Sequence, residues 1–165
     1  MRRGVYFAAL LLTAWTMGLE FAHLLEWPVK ATYPGPLYVW LQESLYVWFG
    51  NVGSVIYVLA IVASVVVAVL SRTDRGARWL TGVAAGLEIV GLASFFAIIY
   101  PVNLRFPVYG TGAVPEDWAG LRVRWEFGHT LGFVLFTAAF ALQVLCLLRR
   151  TTWKEIAASS SESAA

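Results

Sequence analysis

The chain has 165 residues, room for one domain, with 59% hydrophobic and 13% charged residues and a formal net charge of +2. An ordinary soluble domain carries roughly a quarter charged residues, and a protein this small needs that polar surface to stay in water. A water-soluble globule is excluded, nucleic acid is not an expected partner, and the excess apolar surface belongs against a lipid bilayer.

Taken in chain order, the first apolar stretch is 5–25, which reaches the ~20 residues needed to cross ~30 Å of hydrocarbon. Arg2 and Arg3 before an apolar run resemble a signal peptide, but the run is long and no clear Ala-x-Ala site follows, so it is expected to be retained. Tyr33, Pro34, Gly35 and Pro36 mark a turn, after which 37–50 reads as a helix continuing into a second stretch, 48–70. That stretch has no charge from Val52 to Leu70. The short segment 71–78 turns the chain into a third stretch, 79–100, whose only charge is Glu88. Pro115, Glu116 and Asp117 suit a helix start, with Pro in the first turn and acids at the positive dipole end. That helix is expected to pass through Trp118 and Arg124 into a fourth stretch, 127–148. No hairpin signal or sustained alternation suggests strands.

The expected fold is therefore all-α: an integral membrane four-helix bundle, up-down-up-down, whose helical extensions form an outer aromatic cap. Residues 1–155 make the single domain, and the small polar residues of 156–165 read as a disordered cytoplasmic tail. The connections and termini on one side hold Arg2, Arg3, Arg72, Arg75, Arg78, Arg149, Arg150 and Lys154, against Lys30, Arg105, Arg122 and Arg124 on the other. Positive charge favours the inside, so both termini are expected in the cytoplasm and the location is the plasma membrane. Trp27, Trp40, Trp48, Tyr100 and Trp125 gather at the outer span ends, as an interfacial belt does. Cys146 is the only cysteine, which rules out disulfide bracing and dithiol redox chemistry within the chain. It reads as a lipid- or core-facing filler.

Both histidines of the chain occur in one pattern, Glu20-x-x-His23 and Glu126-x-x-His129. The i,i+3 spacing puts carboxylate and imidazole on one helix face, and the topology brings the two pairs to similar depth. Carboxylate-bridged metal bundles present ligands in this way, with further carboxylates from the other helices. Glu20, His23, Glu126 and His129 are therefore candidate metal ligands, with Glu43 and Glu26 as further acids. Two His and several carboxylates suit Fe, Mn or Zn better than Cu(I). Glu88 lies about 10 Å deeper by helix rise and is a weak ligand candidate, more readily a buried hydrogen-bonded carboxyl. The plain alternative is a structural network in which these groups satisfy each other.

Pro101, Val102 and Asn103, followed by Trp118, Arg122, Trp125 and His129, resemble the signature of a family of small four-helix membrane proteins that includes the anthrone oxygenases. The stretch from Phe21 through His23, Glu26 and Pro28 to Lys30, with Gln42 and Tyr46, looks like the N-terminal half of bacterial members. The resemblance is best over 99–140 and implies an outer pocket built from His23, Asn103, Trp125 and His129. It also implies oxidation of a small aromatic ketone by O₂. In such chemistry a neutral His or a carboxylate removes a proton alpha to a carbonyl, Asn103 or Arg122 stabilises the oxyanion, and Trp125, Trp40 and Tyr46 wall a flat substrate.

Three functions thus follow: an oxygen-dependent membrane oxidoreductase acting on a small apolar or aromatic substrate, a bis-histidine haem electron carrier with His23 and His129 as axial ligands, or a non-catalytic subunit that docks a membrane partner. A transporter is disfavoured, since no repeat or Gly/Pro-broken span is evident. Gly82, Gly86 and Gly91 would permit close helix packing, within the chain or in a homo-oligomer.

Overall fold

The computed structural model of the chain describes residues 2–106 and 114–162. Its elements are α1 (Arg2–Lys30), α2 (Gly35–Ser44), α3 (Tyr46–Leu70), α4 (Arg75–Ser94), a π-helical turn (Phe95–Ile99), α5 (Tyr100–Asn103) and α6 (Trp118–Glu162). Four of the helices are long and apolar enough to cross a membrane. They form a ring in the order α1, α3, α4, α6, so that α1 and α6 are antiparallel neighbours. The protein is a multi-pass membrane protein with an all-helical bundle fold.

The bundle is apolar outside and polar within. Val52, Val55, Val58, Val62 and Val69 of α3 point outward, where lipid covers them, while Thr13, Glu20, Ser64, Glu88, Glu126 and Gln143 are buried. This distribution follows from the cost of exposing ionisable groups to hydrocarbon. Asp74 caps α4 by accepting the Ala77 backbone N–H at 3.0 Å, which satisfies a donor the helix start would otherwise orphan.

Each membrane-crossing helical span is longer than the stretch expected for it, the third running from Arg75 to Asn103 through the π-helical turn and α5. The α1 helix runs past Glu26 and through Pro28 to Lys30, because a proline in the last turn removes one hydrogen bond without ending the helix. The helix expected over 37–50 is present as α2 and the start of α3, joined at Leu45, which keeps right-handed helical backbone angles. Toward the other end, α6 starts at Trp118 after a turn at Glu116 and Asp117, and continues unbroken through the fourth span. It remains helical to Glu162, where disorder was expected from 156. No Gly or Pro interrupts that stretch, and Lys154, Glu155, Ala157 and Ala158 are good helix formers. Residues 163–165 of that tail lie outside the described residues.

The π-helical turn has an identifiable cause. Pro101 has no N–H to give the carbonyl of Ala97, and its ring crowds that carbonyl. The chain widens by one residue, so that the Tyr100 N–H bonds to the Phe95 carbonyl, and the freed Ala97 oxygen accepts from Arg124 Nη2 at 2.7 Å. At this end of the bundle, Tyr38, Val39, Tyr46, Ile99, Val102, Phe106, Leu121 and Trp125 make one buried cluster. That cluster is the aromatic cap.

Candidate functional site

The register between α1 and α6 sets the site. Along the antiparallel pair Tyr6 meets Cys146, Glu20 meets Gly132, His23 meets His129, and the Lys30 carbonyl meets Arg122. Because the helices run in opposite directions, Glu20 lies on the membrane side of its histidine and Glu126 on the cap side of its own. The two Glu-x-x-His pairs converge as expected, but each carboxylate bonds across helices and not to the histidine of its own motif. Two polar layers result.

In the deeper layer Glu20 Oε2 lies 2.7 Å from His129 Nδ1, and the two imidazoles are tilted against each other with ring centroids 4.2 Å apart. The indole of Trp125 packs edge-on to His23 at 4.8 Å and over His129 at 4.1 Å. Its Nε1 donates to Asn103 Oδ1 at 2.8 Å, which fixes the amide so that its NH₂ faces elsewhere. His129 Nε2 is buried and has no hydrogen-bond partner among the described residues.

The shallower layer is organised by Lys30, 2% exposed. Its Nζ lies 2.9 Å from Glu126 Oε1 and 3.4 Å from Glu26 Oε2, over the rings of Tyr46 and Trp125 at 5.1 and 5.0 Å. Tyr46 donates to Glu26, and Tyr38 donates to Glu126 at 3.2 Å. Burial and the adjacent Glu126 push the Tyr38 phenol above its ordinary range, so it remains an O–H donor.

Beside these layers a cavity of about 440 Å³ opens between α3 and the π-helical turn. Its polar wall is Glu20, His23, His129 and Asn103, with Gln42 and Glu43 from α2; the remainder is largely apolar and aromatic, including Tyr46, Phe49, Phe95 and Trp125. The volume and composition are those of a small-molecule site.

The six side chains expected as metal ligands do not converge on one point. Glu126 and Glu26 turn to the Lys30 ammonium, Glu20 to His129, and Glu43 approaches from α2. Among the described residues no group of three His, Cys, Asp or Glu side chains is arranged to hold an ion. The imidazoles are also closer than the about 6 Å between centroids that a haem held by two axial histidines needs. Arg122 is not on the cavity wall. Its Nη1 donates to the carbonyls of Lys30 and Tyr33 at 3.2 and 3.0 Å, and its guanidinium stacks on Trp118, so it closes the end of α1. Trp40 is 59% exposed and walls nothing. Of the expected pocket, His23, Asn103, Trp125 and His129 are together.

Glu88 belongs to a separate layer. Its Oε1 accepts from Thr13 at 2.8 Å, Ser64 at 3.0 Å and Gln143 at 3.0 Å, a fully buried network nearer the termini. Tyr57 and Phe136, in contact at 4.6 Å, pack in an apolar layer of their own. Lys30 was read from sequence as an outer-side charge and as the end of the family-like stretch, not as a member of the site; its i,i+4 spacing from Glu26 was the signal for its place here.

Comparison with known protein families, curated proteins and solved structures gave no match, so the site is read from its own chemistry.

Proposed function

We propose that the protein is an oxygen-dependent membrane oxidoreductase that removes a proton from a small apolar or aromatic substrate and lets the resulting carbanion react with O₂. The observation that carries this reading is the Glu20–His129 pair, at 2.7 Å on the wall of an apolar cavity. A carboxylate is acceptor-only, so an ionised Glu20 holds the proton of His129 on Nδ1 and leaves Nε2 with a lone pair. The pair then takes up one proton, shared between imidazole and carboxylate, which is the task of a general base.

For a methylene next to a ketone-bearing aromatic ring the steps balance. His129 takes one C–H proton and the enolate oxygen is held by the Asn103 NH₂, whose carbonyl is already committed to Trp125. The carbanion adds O₂, the pair returns its proton to give a hydroperoxide, and removal of the second C–H proton expels water. The sum is R₂CH₂ + O₂ → R₂C=O + H₂O. Lys30, between Glu126 and Glu26 behind Trp125 and Tyr46, positions the aromatic wall. The likeness of Pro101, Asn103, Trp125 and His129 to the anthrone-oxygenase signature supports the same reading, with the site on the outer side of the plasma membrane. The route does not require a metal ion.

The test is anthrone oxidation by protein in lipid nanodiscs, followed as O₂ uptake and quinone formation. Turnover above empty nanodiscs, lost about 100-fold in His129→Gln and in Glu20→Gln, is the expected result. Rates equal to those of empty nanodiscs, or unchanged in both variants, would overturn the reading.

A further inference from the structure

We infer that the cavity is loaded sideways from the membrane, through a portal between α3 and the π-helical turn, and that its ligand is a bilayer-dissolved molecule with an aromatic body and one hydroxyl or carbonyl group. The ligand class rests on the function proposed above; the portal stands on geometry alone.

Three of the four seams around the site are closed. Between α1 and α6, Phe21 and Phe133 stack with ring centroids 5.0 Å apart. Between α1 and α3, a Cβ on Gly53 would already sit 3.3 Å from Leu19. Against α6, the π-helical turn is packed so tightly that a Cβ on Gly128 would lie 2.4 Å from Ile99. Over the α1 and α6 side of the site, the cap end is covered by the buried cluster of Tyr38, Tyr46, Phe106 and Trp125 and by the ion layer around Lys30. The fourth seam differs: the cavity lining includes residues that are exposed on both of its edges, Gly50, Asn51, Ser54 and Val58 on α3, Phe96 on the π-helical turn and Asn103 on α5.

The level of that opening decides what it faces. Trp48 and Tyr100 are exposed, and aromatic side chains of this kind mark the headgroup level. Ser54 and Val58 lie six and ten residues deeper than Trp48 along α3, about 9 and 15 Å by helix rise. Phe96, 56% exposed, lies one turn deeper than Tyr100. The mouth therefore runs from the headgroup level, at Asn51 and Asn103, down into hydrocarbon at Val58 and Phe96, where a water-borne molecule is scarce and an apolar one is concentrated. The π-helical turn forms one edge of the mouth, and its wider coil, imposed by Pro101, displaces the Phe96 side of the seam. The polar groups His23, His129 and Asn103 lie on the wall behind this mouth, suited to one hydrogen-bonding group at the end of an apolar body.

The experiment uses 4-hydroxybenzophenone, an apolar aromatic ketone that inserts into C–H bonds under light, with full-length protein in nanodiscs. Adducts are mapped by mass spectrometry on the peptides that contain Trp125 and His129. Labelling should saturate, and should follow the mole fraction of probe in the lipid: added protein-free liposomes at constant total probe should reduce it in proportion. Ser54→Trp should reduce it about tenfold by obstructing the portal. A chemically blocked variant removes folding from the question: Ser54→Cys, in a Cys146→Ser background, is folded first and then alkylated with a long-chain maleimide, with the same loss expected. Unchanged interior labelling after alkylation, or labelling that tracks aqueous probe concentration, would overturn the lateral route. Because labelling needs no turnover, interior labelling that is lost on blocking the portal, in a protein that does not oxidise anthrone, would sink the oxidoreductase and leave the portal standing.

Discussion

Gly132 lies where no larger residue fits against Glu20: a Cβ there would be 2.9 Å from the carboxyl carbon and 3.0 Å from each oxygen. The close approach lets the carboxylate lie flat on α6 and reach His129 Nδ1, one turn away on the same helix. Gly132→Ala is expected to displace the Glu20 carboxyl and lower anthrone turnover about tenfold or more, since sub-ångström misplacement of a base is costly. A Gly132→Ala protein with full turnover would show that the Glu20–His129 contact is dispensable.

His23 and His129 touch, yet only His129 has a carboxylate partner at hydrogen-bond distance; the nearest to His23 is Glu26, 3.8 Å away. His129→Gln should therefore cost far more turnover than His23→Gln, about 100-fold against about tenfold or less. Equal losses would mean that the imidazoles act as a unit and that the assignment of the base to His129 is wrong.

Much of this was legible in the sequence, for definite reasons. The apolar lengths fix four spans, and the shared Glu-x-x-His spacing brings His23 and His129 together once α1 and α6 are neighbours. Spacing along one helix says nothing about partners across the seam. The reversal of direction between α1 and α6 sends Glu20 to His129 and Glu126 to Lys30. Lys30 lies beyond the first apolar stretch, 5–25, yet α1 runs through Pro28 to reach it. The capping role of Arg122 and the outward face of Trp40 depend on rotation about the helix axis, which an aromatic-rich segment does not specify. Among the glycines, Gly91 packs against Tyr57 and Phe136 as its span suggested, whereas Gly82 and Gly86 face open space.

The Glu88 layer tests whether buried polarity near the termini supports the fold or the chemistry. Three donors converge on Glu88 Oε1, with no cation beside it among the described residues. Glu88→Gln keeps an acceptor oxygen and should leave both stability and turnover close to wild type. Glu88→Leu should strand the Thr13 and Ser64 hydroxyl donors, while the Gln143 amide keeps those two oxygens as acceptors, and cost about 1–3 kcal/mol in a steric-trapping or denaturation experiment. A turnover defect in a stable Glu88→Gln protein would instead tie this carboxyl to the reaction.

Lys30 gives the sharpest energetic prediction. Its ammonium and the Glu126 carboxylate, 3% and 1% exposed, are 2.9 Å apart at the roof of the site. Removing one member of a buried pair strands the other charge, at about 3–5 kcal/mol, whereas replacing both by apolar residues of similar volume is often neutral. Lys30→Met alone should therefore destabilise the bundle strongly, and Lys30→Met combined with Glu126→Leu should recover most of the loss. Glu26 complicates the cycle, since it also faces Lys30, at 3.4 Å, but it is 36% exposed by side chain and water reaches it. Its charge can thus be solvated when Lys30 is gone, and Glu126 is the residue that suffers. Thermal unfolding of the two single variants and the double variant in one detergent reads the coupling directly. Additive losses, with no recovery in the double variant, would mean that the pair does not exist in the membrane-embedded protein, and the wall behind Trp125 and Tyr46 would need another support.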